Sequence, residues 1–93
     1  MLGGAGPAQA ATAEVQALVD THKGDAEAQA GKSFDIFKAV TYSSQVVAGT
    51  NYFVKVETGD EQVHLKIWKK LDGTSELSAV QTGKSNADAI GFF

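Results

Sequence analysis

The sequence contains no cysteine, no arginine, one proline and one tryptophan. Without cysteine there is no disulfide, no thiol nucleophile and no thiolate metal site, and a secreted domain this small would more often be stapled by disulfides. The eight basic residues are all lysines, scattered along a chain of net charge −3, so the basic patch of a nucleic-acid binder is missing. No nucleic acid partner is expected. No apolar run approaches the ~18 residues of a membrane span, so no membrane partner is expected either. The first residues lack the charged and greasy parts of a secretory leader. Read as a complete chain, the sequence is expected to stay in the cytoplasm.

What is present suits one domain over residues 1–93. A chain of 93 residues with 43% hydrophobic content can bury a single modest core. Catalysis has little to work with. His22 and His64 fall on different elements with no nucleophile arrangement around them. No glycine-rich phosphate loop follows a strand, and no carboxylate pair is set by local spacing for acid and base work. His64 and nearby acidic residues could hold a metal, but no spacing asks for one. The expectation is a protein that is not an enzyme and needs no cofactor.

Met1 to Ala11 is small and Gly-rich and carries Pro7, which predicts a mobile terminus with a short strand near its end. Thr12 can accept from the amides of a first helical turn, and Glu14 suits the positive end of the helix dipole. The helix is expected to run to about Ala30, with Val15, Leu18, Val19, His22 and Ala26 on one face. Gly24 weakens it by roughly 1 kcal/mol relative to alanine, and His22 is expected partly exposed at the edge of the stripe. Gly31 is placed to end the helix in a left-handed turn.

After Phe34 the period changes to that of strands. Phe34 to Ser44, Thr50 to Thr58, Gln62 to Leu71 and Leu77 to Thr82 carry β-branched and aromatic residues between turn signals. Gly59, Asp60 and Glu61 make one turn, and Asp72-Gly73 reads as a two-residue hairpin. Val63, Leu65 and Ile67 alternate with His64, Lys66 and Trp68, which predicts one buried face and one wetter face. Trp68 is then read as structural, shielded by cross-strand neighbours and lysine stems. The alternation slips phase between Phe34 and Val40, which predicts a bulge. The fold class is α+β, one long helix packed against an antiparallel β-sheet of four to five strands.

One stretch stands apart. Gln45, Val46, Val47, Ala48 and Gly49 lie at the tip of a hairpin, where Gly, Asn, Asp, Pro or Ser would normally serve. The two valines either belong to a strand and fold inward or are held out to fill a groove on a partner. Gly49 suits a backbone position closed to other residues.

Gln45 to Gly49, continuing through Thr50, Asn51, Tyr52 and Phe53, resembles the first binding loop of the cystatins, and is most similar to the stefin branch. The resemblance spans the chain: Gly3 and Gly4; Ala11, Thr12, Ala13 and Glu14; Phe37 to Val40; Val63, His64 and Leu65; Gln81 and Thr82. It implies a cystatin-like curved sheet wrapped on a helix. It also implies a reversible, competitive inhibitor of papain-like cysteine proteases such as cathepsins. The inhibitor would block the cleft with a wedge of three segments.

The implied wedge comprises the N-terminal trunk (Met1, Leu2, Gly3, Gly4), the first hairpin (Gln45, Val46, Val47, Ala48, Gly49) and the second hairpin (Leu71, Asp72, Gly73). Either Gly3 or Gly4 would let the backbone pass the catalytic centre. The chain departs from the family at the second hairpin, where stefins usually place proline after the leucine and have a longer loop. That departure keeps a second reading open, a non-inhibitory cystatin-fold interaction module. The expected state is a monomer, with a domain-swapped dimer as an alternative through the hinge at Gln45 to Gly49.

Overall fold

The computed structural model describes residues 8–59, 61–85 and 88. In chain order the elements are β1 (Gln9–Ala10), α1 (Ala13–Thr21), α2 (Lys23–Ala30), β2 (Lys38–Val47), β3 (Gly49–Glu57), β4 (Gln62–Lys69) and β5 (Ser75–Lys84). The five strands form one antiparallel sheet in the order β1-β2-β3-β4-β5. Helix α1 packs against β2 and α2 against β5, so the helical layer crosses one face of the sheet. No described helix is long and apolar enough to cross a membrane.

The helix begins and ends as its sequence dictates. The Thr12 hydroxyl accepts from the Val15 amide at 3.2 Å, and Gly31 closes α2 at φ 75° with its amide on the Glu27 carbonyl. It is not, however, one long helix. The chain breaks at His22, whose φ is −104° and ψ 11°. Its amide reaches back only three residues, to Val19. Two causes act together. The Thr21 hydroxyl donates to the Ala17 carbonyl at 3.0 Å, a back-bond that bends helices. The His22 ring then turns inward, with Nε2 2.8 Å from the Ser75 hydroxyl of β5. His22 is therefore buried, 5% exposed, rather than partly exposed as its place on the stripe suggested.

Val15, Val19 and Ala26 of the helices meet Val54, Val56, Val63, Leu65 and Ile67 of the sheet. Phe34 and Phe37, ahead of β2, stack at 5.6 Å between ring centres and close one end of this core. The first strand of the main meander thus starts at Lys38 rather than Phe34 and continues to Val47 rather than Ser44. Its bulge falls between Ala39 and Thr41, at the end of the segment where the alternation slips. The Gln16 side chain of α1 secures that bulge, donating to the Phe37 carbonyl at 3.0 Å and accepting from the Ala39 amide at 2.8 Å.

The alternation on β4 is confirmed for Val63, Leu65 and Ile67, which are fully buried on the helix side. The opposite face is drier than expected. Phe53 and His64 are each 1% exposed there, and Ser43 and Lys55 are also buried. His64 stands between Lys55 of β3 and Gln81 of β5, and among the described residues its Nε2 meets no hydrogen-bond partner. Burial first, then the like charges of Lys84 and Lys55, pushes its pKa below the ordinary value, with Asp88 opposing.

Candidate functional site

Strand pairing decides which ends of the chain meet. Val46 lies opposite Thr50 across the first hairpin, and Thr50 lies opposite Lys69 of β4. The end of β4 and the loop after it therefore sit beside the tip of the β2-β3 hairpin. β1 pairs antiparallel with β2, Gln9 opposite Tyr42 and Ala10 opposite Thr41, which puts Gln9 on the side of β1 that faces this end. Gln45, Val46, Val47, Ala48 and Gly49 share this end of the sheet with Leu71, Asp72 and Gly73. Met1, Leu2, Gly3 and Gly4 lie outside the described residues.

The first tip holds its valines outward. Val46 is 81% exposed and Val47 44%, although β-branched residues in a strand would gain about 1.5–3 kcal/mol each by full burial. The tip is nevertheless braced from behind. The indole Nε1 of Trp68 donates to the Ala48 carbonyl at 2.8 Å, and the Asn51 amide donates to the Gln45 side chain at 3.3 Å. Gly49 has φ 101°, and a Cβ there would lie 2.3 Å from the Lys69 carbonyl. Only glycine fits that crossing.

The second tip is a three-residue loop rather than a two-residue hairpin. Lys70 and Thr74 close it through a 2.7 Å bond from the Lys70 amide to the Thr74 carbonyl, and the Gly73 amide returns to the Lys70 carbonyl at 3.1 Å. Gly73 takes φ 92°, the left-handed position such loops place last. Asp72 fastens the turn, its Oδ1 accepting from the Thr74 amide at 3.0 Å and the Thr74 hydroxyl at 2.7 Å. The two Thr74 bonds hold the carboxyl below the usual aspartate range. Leu71, at the crest, is 84% exposed.

Lys70, at the base of the second tip, lies beside the brace of the first. The Lys70 ammonium lies 5.4 Å from the centre of the Trp68 ring and 3.2 Å from the Glu76 carboxylate. Behind the second tip, a cavity of about 360 Å³ opens between α1 and the sheet, lined by Glu14, Leu18, Tyr52 and Lys69 among others. Burial, then the Glu14 charge, raises the Tyr52 hydroxyl's pKa. Sequence reading left the valines open between folding inward and pointing outward, and named Leu71 only through the resemblance; the structure exposes all three. Sequence reading missed Trp68 as the brace of the first tip and Asp72 as the clasp of the second. The Asp-x-Thr spacing at 72–74 was a usable signal for the clasp; nothing local signals the brace.

The arrangement offers shape and apolar area, not reactive groups. Among the described residues, no three His, Asp or Glu side chains are gathered as a metal site would need. The family model of the cystatin domain matches residues 3–88. The chain is 44% identical to Cystatin-B of Oplegnathus fasciatus, covering 100% of this chain and 97% of that protein. It is 45% identical to Cystatin-B of Paralichthys olivaceus and 43% identical to Cystatin-B of Homo sapiens, with 100% of this chain and 99% of each relative covered. With its hairpin pair, its sheet and its full length all accounted for, the chain belongs to the cystatin family, in the stefin branch, of cysteine protease inhibitors.

Proposed function

We propose that the domain blocks papain-like cysteine proteases reversibly and competitively, by seating Val46, Val47 and Leu71 in the active-site cleft with the N-terminal trunk, Met1 to Gly4, alongside. The observation that carries this reading is a pair of apolar tips at one end of the sheet, Val46 at 81% and Leu71 at 84% exposure. Both tips are braced by bonds that hold their shape before any partner arrives. Preorganisation matters because the anchors are few. Nanomolar binding needs about 12 kcal/mol, from an interface of about 1,600 Å² in typical inhibitor complexes. Ordering two floppy loops would consume much of that gain. The inhibitor does no chemistry. It fills the cleft without offering a scissile carbonyl to the catalytic thiol, so it is recovered intact.

The cytoplasm is the compartment that fits a chain without cysteines, and a monomer is the state that leaves both tips open. The test is titration of active papain with monomer fractionated by size, comparing wild type with Val46→Asp. Loss of inhibition in a folded Val46→Asp protein supports the wedge; equal inhibition by both overturns it.

A further inference from the structure

The second tip carries a charge where a purely apolar wedge needs none. Asp72 sits next to Leu71 and is exposed. Its carboxylate is not loose, because Oδ1 accepts from both the amide and the hydroxyl of Thr74. Lys70 is the cation that acts on Asp72, and its charge helps to keep the carboxyl ionised. The Lys70 ammonium itself is turned to Glu76 and the Trp68 ring, and Lys69 lines the cavity behind the tip. The charge presented at the crest of this loop is therefore negative and fixed in place.

We propose that Asp72 is a specificity-determining residue, which directs the domain toward cysteine proteases carrying lysine or arginine on the cleft rim that meets the second hairpin. This rests on the inhibitory reading above and goes further by naming the charge of the preferred target. An ionised carboxylate pressed against an apolar or acidic rim loses hydration with nothing in exchange. Against a basic rim it is paired, and it also speeds encounter. The bonds from Thr74 keep the group ionised under mild acid, so the selectivity persists there.

The test uses the full chain and a papain-like protease with a lysine or arginine on that rim, alongside the same protease with the residue changed to glutamate. Inhibition constants and association rates are measured at low and high salt for wild type, Asp72→Asn and Asp72→Lys. Wild type is expected to prefer the basic rim by about twofold to fivefold, the range of an exposed ion pair. That preference should shrink at high salt, vanish in Asp72→Asn and reverse in Asp72→Lys. Because the amide oxygen introduced by Asp72→Asn can still accept from Thr74, the loop of that variant should keep its shape, and circular dichroism checks that the fold stands. An unchanged preference across the three proteins overturns the role of Asp72 while leaving inhibition intact. Failure of every folded protein to inhibit either enzyme overturns the inhibitory reading itself, and this proposal with it.

Discussion

Trp68 Nε1 and the Ala48 carbonyl oxygen are 2.8 Å apart, and this one hydrogen bond ties the tip of the first hairpin to strand β4. The side chain read from sequence as a shielded strand residue is thus a strut for the tip that exposes Val46 and Val47. Trp68→Phe removes the donor and keeps most of the ring. Loss of one such bond is worth about 0.5–1.5 kcal/mol, so protease binding is expected to weaken by up to about tenfold. Urea denaturation should show a loss no larger than that. A variant that inhibits as tightly as wild type would mean the tip holds its shape unaided.

Gly49 tests the same brace through the backbone. Its φ of 101°, and the 2.3 Å that would separate an added methyl from the Lys69 carbonyl, mean that Gly49→Ala must move the tip away from β4. The expected cost is at least about 1 kcal/mol in stability, with a larger loss in inhibition because the displaced tip carries Val46 and Val47. Parallel denaturation and inhibition titrations separate the two effects.

Val46→Asp should leave stability within about 0.5 kcal/mol, since the side chain is 81% exposed. It should weaken protease binding by at least about 2 kcal/mol, because a carboxylate would be buried without a partner. Leu65→Ala is its mirror image: a fully buried residue whose truncation should remove about 2–5 kcal/mol of stability. Binding per folded molecule should hardly change.

His64 sets a pH dependence. Its folded pKa lies below the unfolded value, through burial and the nearby Lys84 and Lys55, with Asp88 pulling the other way. The unfolded chain therefore takes up a proton first as pH falls. The stability present above about pH 6.5 is lost progressively between there and the lower folded pKa. The carboxylates of Asp72, Glu57, Glu61 and Asp88, all lowered by their hydrogen bonds, act in the same sense but only in the carboxylate range below. Denaturation midpoints measured from pH 7.5 to 5 should fall for wild type and stay flatter for His64→Gln. Parallel curves would remove His64 from the account.

Much of this molecule is written locally. Thr12 and Gly31 mark the ends of the helical layer because caps depend on neighbouring residues alone. The phase slip before Val40 announced the bulge, and Val46 and Val47 stood out by breaking the rule for turns. What escaped reading is what depends on distant partners. The break at His22 joins the Thr21 back-bond to a contact with Ser75 of β5, far away in the chain. The burial of His64 depends on its neighbours across β3 and β5, whereas a period of two reports only that there are two faces. The Trp68 brace depends on strand register, which pairs Trp68 with Asn51 and so brings its indole within reach of the Ala48 carbonyl. The clasp at Asp72 turned an expected two-residue hairpin into a three-residue loop, because the side chain supplies a bond that composition alone does not reveal.

The central claim is that the domain blocks a cysteine protease by occupying its cleft, and titrating active papain with purified monomer addresses it directly. The account predicts a linear fall of peptidase activity to zero near equal molarity, with the inhibitor recovered uncleaved. Full activity in the presence of excess folded monomer would contradict it.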